Sequence, residues 1–202
     1  MKIGIYGGTF NPIHNGHTYL LKYLLKNKIC DKLIVLVSGN PPHKNDGVLD
    51  ESHRFNMVKL ALSDCSDILV SDMEMGKSER CYTFNTMRLL REQYKNDELW
   101  FIVGADSFKD LPKWYRGEEL IKENKFIAVN REGAFQNELY KEKCDEIKEK
   151  YGATVEFVDI KTPDISSTAV RKMVEEGKIV SSYVPDSVYK YITDNKLYGW
   201  KY

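Results

Sequence analysis

Two histidines, His14 and His17, stand three residues apart just after the run Gly7-Gly8-Thr9-Phe10-Asn11-Pro12-Ile13. Residues at that spacing share one face of a helix start. The N-terminus of a helix presents unpaired N–H groups and a dipole that favour phosphate, and imidazoles donate hydrogen bonds without the bulk of arginine. Gly7 and Gly8 permit a positive φ and close backbone approach. Thr9 adds a hydroxyl, Pro12 stiffens the loop, and Gly16 lets a ligand lie against the backbone. The chemistry this segment suits is phosphate handling. The plain alternative is a glycine turn with two histidines capping a helix. The Gly-x-Gly-x-x-Gly spacing of a dinucleotide fingerprint is absent. Two histidines without a third cysteine or carboxylate support a zinc site only weakly, so no residue is assigned to a metal.

Further candidates lie downstream. Lys44 is a compact charge in the proline-rich stretch Pro41-Pro42-His43-Lys44. A departing pyrophosphate needs positive charge where negative charge develops, and Lys44, Arg171 and the histidine pair can supply it. His43 either orients Lys44 or touches an acceptor phosphate. Asp106, two residues after Gly104, suits ribose hydroxyls or caps a turn over 107–111. Ser166, Ser167 and Thr168 offer hydroxyls at a late helix start, with Arg171 one turn on. They serve as simple caps, or as the second half of a triphosphate site. Thr83 opens another helix. Trp114 and Tyr115 are flanked by Lys113 and Arg116, which argues for a partly exposed aromatic site. Arg131 is a further candidate phosphate contact.

These residues sit at the ends of regular elements. Apolar runs at 3–6, 33–37, 68–70, 99–103, 126–129 and 155–158 read as buried strands. Helical spacing places helices near 20–25, 54–61, 83–93, 138–150, 166–175 and 186–193. Repeated strand-then-helix order predicts an α/β fold, a Rossmann-like doubly wound parallel sheet with helices on both faces. Strands buried on both faces read as continuous apolar runs. In such sheets ligands bind beyond the carboxyl ends of the strands, where the strand order reverses, so residues 7–17, 38–44, 104–106 and 131 belong at the site. The alternating charges of 141–150 read as a solvated helix face.

The chain has 202 residues, with 30 basic side chains balancing 30 acidic ones. That length suits one domain over 1–202, in which a helical part over 165–202 completes the nucleotide site. Zero net charge argues against nucleic acid as a partner. The four cysteines Cys30, Cys65, Cys81 and Cys144 form no Cys-x-x-Cys pair, and such scattered thiols predict a reducing, cytoplasmic location. No apolar run nears the ~20 residues of a membrane span, and no signal peptide precedes the first strand. The sequence leaves a homodimer open.

The order of these motifs resembles a known family. A strand, Gly-Gly-Thr-Phe-x-Pro and His14-Asn15-Gly16-His17 are similar to the signature of the nucleotidyltransferases that share their fold with class I aminoacyl-tRNA synthetases. The motifs Pro41-Pro42-His43-Lys44, Tyr82-Thr83, Gly104-Ala105-Asp106-Ser107, Trp114-Tyr115 and Ile165-Ser166-Ser167-Thr168-Ala169-Val170-Arg171 narrow the resemblance to the bacterial nicotinate-nucleotide adenylyltransferases. It spans essentially the whole chain. It implies adenylyl transfer from ATP to nicotinate mononucleotide, giving nicotinate adenine dinucleotide and pyrophosphate in NAD biosynthesis, with Mg²⁺ carried on ATP. It implies an ATP site of Gly7, Gly8, Thr9, Phe10, His14, Gly16, His17, Gly104, Asp106, Ser167, Thr168 and Arg171. Asn11, His43, Lys44, Thr83, Trp114, Tyr115 and Arg131 would hold the acceptor. Trp114 would be the platform for the nicotinate ring, and Thr83 would meet its carboxylate. His14, His17, Lys44 and Arg171 would stabilise the transition state. Cys81 stands where relatives carry a small serine-like residue. Nicotinamide mononucleotide and phosphopantetheine are alternative acceptors, and a non-catalytic nucleotide-binding regulator is the alternative of another class.

Overall fold

The computed structural model describes residues 1–39, 47–77, 80–130 and 138–200. Six strands, β1 (Lys2–Gly8), β2 (Lys32–Val37), β3 (Ile68–Ser71), β4 (Glu98–Gly104), β5 (Lys125–Asn130) and β6 (Thr154–Asp159), form one parallel sheet in the order β3-β2-β1-β4-β5-β6. The chain winds outward from β1 through β2 to β3. It then returns to set β4 on the other side of β1 and winds outward again. The reversal falls between β1 and β4, whose carboxyl ends carry Gly7-Gly8 and Gly104. This is the switch point at which neighbouring connections leave in opposite directions and open a crevice.

The strands are buried on both faces because successive side chains alternate between two cores. Tyr6, Val35, Val37 and Ile102 join one core, with α1 (Asn15–Lys26), α2 (Glu51–Ala61), α7 (Ser167–Glu175) and α8 (Asp186–Asp194). Ile5, Leu36, Phe101 and Val103 join the other, with α3 (Thr83–Gln93), α4 (Ala105–Phe108), α5 (Gly117–Glu123) and α6 (Glu138–Tyr151). Val170, Val174, Val188 and Ile192 lie in the same core as Leu20 and Met57, so the last helices share the packing of the first. Among the described residues no helix is long and apolar enough to cross a membrane.

Strand and helix positions follow the sequence periodicity closely. The two short helices α4 and α5 carry too few turns to show a period, and their positions come from packing. Phe108 and Leu120 are fully buried. Gly117 is tightly enclosed: a Cβ there would lie 2.0 Å from the Leu111 carbonyl oxygen. That closeness draws the 111–117 segment into a compact turn that carries Trp114.

Candidate active site

The loop after β1 departs from the sequence expectation at its first turn. Gly7 and Gly8 do not take a positive φ. They extend β1, and the left-handed residue is Phe10, with φ 48°. Here Gly8 provides space. A Cβ on Gly8 would fall 2.7 Å from the Phe10 ring, which folds back beneath the strand end. Phe10 is buried and meets the edge of His17 at 5.2 Å and Tyr6 at 5.8 Å between ring centroids. It therefore shapes the loop from within.

His14 is the N-cap residue of α1 and His17 is the third residue of the helix. Their rings stack with centroids 3.7 Å apart and planes 25° from parallel. The His14 backbone N–H donates to His17 Nδ1 at 3.3 Å. A Cβ on Gly16 would come within 3.1 Å of the His14 ring, so glycine is what lets the stack form against the helix.

The loop is clamped from two sides. From α7, Ser167 Oγ donates to the Pro12 carbonyl at 2.8 Å, and Arg171 Nη1 donates to the Asn11 carbonyl at 2.8 Å. Arg171 also reaches Thr168 Oγ1, while the Ser166 hydroxyl accepts from the Ala169 N–H as the N-cap of α7. From α2, Arg54 donates to the carbonyls of Thr9, Ser38, Gly39 and Leu49 at 2.6–3.0 Å. It is only 1% exposed, and burial lowers its pKa from the usual guanidinium value. Four carbonyl dipoles take the place of a carboxylate partner and join the ends of β1 and β2.

Two cavities open on either side of this loop. One, about 460 Å³, is lined by Gly7, Gly8, Thr9, Thr83, Trp114 and Tyr115 among others. Its wall is mainly aromatic and aliphatic. Tyr82 stacks on Tyr115 at 4.3 Å, and Trp114 meets Phe101 edge-on at 6.4 Å. Beneath it lies a buried acid, Glu74, which accepts a 2.7 Å hydrogen bond from Thr86 Oγ1. Burial raises the pKa of Glu74, and the Thr86 bond, Lys77 and Ser38 oppose that rise. Cys81 borders the same cavity, with Sγ 3.4 Å from the Glu74 carbonyl oxygen. The second cavity, about 630 Å³, is lined by Gly7, His14, Gly16, Gly104, Asp106 and Asn130 among others. Gly7, Phe101 and Trp114 border both cavities, which therefore adjoin at the β1–β4 switch point. Both volumes are in the range of small-molecule sites.

The structure redistributes several sequence expectations. Gly8 and Thr9 border the apolar cavity rather than the polar one that holds His14. Asn11 was expected to meet the acceptor. It is buried, its Nδ2 donates to the Gly47 carbonyl, and its Oδ1 accepts from the Leu49 N–H and the Tyr198 hydroxyl. With both amide atoms engaged by the protein, it serves as framework. Phe10, expected against ATP, is likewise an internal wedge. Asp106 does not cap a turn over 107–111. Gly104 is the N-cap of α4, and Asp106 is an exposed first-turn residue 3.2 Å from Lys109 Nζ. His43, Lys44 and Arg131 lie outside the described residues. Arg54, Glu74 and Tyr198 were not anticipated. Arg54 had a signal in the sequence, because it shares a helical face with Met57, Val58 and Ala61, where a charge is out of place.

Residues 5–173 match the family described as Cytidylyltransferase-like. The chain is 39% identical to a protein of Carboxydothermus hydrogenoformans named "Probable nicotinate-nucleotide adenylyltransferase", over 98% of both chains. This chain belongs to the nicotinate-nucleotide adenylyltransferase family. The Bacillus subtilis nicotinate-nucleotide adenylyltransferase is 36% identical to it, again over 98% of both chains. A Plasmodium falciparum nicotinic acid mononucleotide adenylyltransferase solved with NaAD superposes with a TM-score of 0.80 at 25% identity, covering 99% of this chain and 98% of that one. The solved adenylyltransferase thus shares the fold over nearly the whole of both chains.

Proposed function

We propose that this chain transfers the adenylyl group of ATP to nicotinate mononucleotide, releasing pyrophosphate and forming nicotinate adenine dinucleotide. The observation that carries the reading is the pair of cavities meeting at Gly7, Phe101 and Trp114, one apolar and aromatic, one polar and bordered by the His14 helix start. Family membership supports the same reaction. The apolar cavity suits a flat pyridine ring against Trp114, with the start of α3 at Thr83 offering N–H groups to its carboxylate. The polar cavity suits ATP, with His14 at its border toward the phosphates and Asp106 toward ribose, and the family resemblance assigns His17, Thr168 and Arg171 to the phosphates as well. Lys44 and His43 are assigned to the phosphates by sequence alone.

An acceptor phosphate oxygen attacks the α-phosphorus in line. The new P–O bond forms as the bond to the β-phosphate bridging oxygen breaks, and that oxygen leaves on pyrophosphate. The acceptor phosphate is already an anion, so no general base or covalent enzyme intermediate is needed. The protein contributes alignment and stabilisation of developing charge. Among the described residues no three His, Cys, Asp or Glu side chains converge to hold a metal ion. Asp106 and Asp164 do border the polar cavity, which fits a Mg²⁺ held mainly by the triphosphate with one carboxylate or none. Mg²⁺ bound there would neutralise charge on the triphosphate oxygens.

The test is pyrophosphate release from ATP and Mg²⁺ with nicotinate mononucleotide, nicotinamide mononucleotide and phosphopantetheine as acceptors. The nicotinate compound should be used with the highest kcat/KM. Equal or better use of either rival overturns the substrate assignment, and no release with any of the three overturns the reaction.

A further inference from the structure

The C-terminal turn reaches back across the molecule to the loop that bears the histidines. Leu197–Gly199 form a short 3-10 turn after α8, and the Tyr198 hydroxyl donates to Asn11 Oδ1 at 2.9 Å. Asn11 is the junction of the site framework. Its side chain also holds Gly47 and Leu49, and its carbonyl seats Arg171 at 2.8 Å. Arg54 closes the ring by donating to the Leu49 carbonyl. Three segments distant in sequence thus converge on one asparagine.

The backbone at both ends of the Tyr198–Asn11 bond is unusual. Tyr198 has φ 56° and ψ 32°, and Phe10, the residue before Asn11, has φ 48°. Bulky side chains rarely take left-handed conformations unless the surrounding structure requires them, and such positions gather at functional sites. Lys196, at φ 49°, gives the C-terminal turn a second left-handed residue. The Tyr198 ring is partly buried, and desolvation raises its pKa against the opposing influence of Arg171 and Arg54. A neutral phenol beside two guanidinium groups can donate to Asn11 without competing for their charge.

We propose that Tyr198 is a positioning residue for adenylyl transfer, acting through Asn11 to hold Arg171 and the 9–12 backbone in register with the histidine stack. The inference rests on the function proposed above. Misplacement of charge-stabilising groups weakens the transition state more than the ground state, so the loss should fall on kcat.

The test is Tyr198→Phe, which keeps the packed ring and removes the hydroxyl, assayed beside Asn11→Ala and the double variant at a temperature where circular dichroism shows all of them folded. Wild-type pyrophosphate release, measured first, tests the function by itself, and the inference is read only from ratios to it. Tyr198→Phe should lower kcat by about tenfold or more with both KM values within about threefold of wild type. The double variant should lose less than the product of the single losses, because both substitutions break one bond. A kcat within about twofold of wild type, a loss confined to KM, or fully multiplicative losses would each overturn the proposal.

Discussion

His17 accepts the backbone N–H of His14 at its Nδ1 while its ring lies under the His14 ring, 3.7 Å away between centroids. An imidazole that accepts at Nδ1 carries its proton at Nε2. The bond therefore leaves His17 with a donor directed away from its own backbone. The stack and the Phe10 edge hold that ring in place before any ligand arrives, so its donor is preorganised.

From this follows the first prediction. His17→Ala removes a prealigned donor together with its contact to Phe10 and the acceptor of the His14 N–H, so kcat should fall by about 100-fold or more with only a modest fall in melting temperature. Steady-state pyrophosphate release and a thermal melt of the same sample check it. Turnover within twofold of wild type would sink the assignment of His17 to the transferring phosphate.

Arg54 makes a second, different prediction, because its effect is on stability first. Arg54→Met keeps the apolar stem and strips four partly buried carbonyls of their donor. Unsatisfied buried acceptors cost about 1–3 kcal/mol each when no water reaches them, so the variant should lose about 3 kcal/mol or more. Urea unfolding measures the loss. Arg54→Lys should recover only part of it, since one ammonium cannot span carbonyls drawn from both strand ends. Full recovery by lysine would mean that charge rather than the fork of donors matters.

Glu74 gives a prediction with a sign. Burial raises its folded-state pKa above the unfolded value of 4.5. The folded protein then binds the Glu74 proton more tightly than the unfolded chain does, and this group costs stability as pH rises from the unfolded pKa through the folded one. Glu74→Gln keeps an acceptor for Thr86 and removes the titration. The variant should match wild type most closely below the unfolded pKa, and its melting temperature should rise relative to wild type as pH climbs toward neutrality. A parallel pH series of thermal melts decides it. A gap that stays constant with pH would show that Glu74 does not titrate as a buried acid.

Much of the site was legible along the chain because its chemistry is carried by short local patterns. His14 and His17 declare a shared helix face by spacing alone, and Ser166 declares a helix start. The six strands announced themselves as apolar runs between helical periods. At Phe10 and Asn11 the structure adds what the sequence did not carry. Beside glycines, the sequence suggests that the glycines bend, whereas packing against Tyr6 and His17 forces the bend onto the phenylalanine. Asn11 looks like a polar ligand contact until Tyr198, 187 positions away, is found bonded to it. Arg54 carried its warning in the periodicity, as a charge on an apolar face, but the four carbonyls it serves come from two connections, one after β1 and one between β2 and α2.

The sequence by itself determined the fold class and the family, since these rest on periodicity and on contiguous motifs. Only the tertiary structure decided which side of Gly7 each residue faces, that Trp114 borders both cavities, and that Asn11 belongs to the framework. Those facts depend on the order in which strands pair and on contacts closed by the last turn of the chain. Local spacing encodes elements and caps. It carries no information about which distant backbone carbonyl will lie within hydrogen-bonding reach of Arg54 or Arg171 once the sheet is wound.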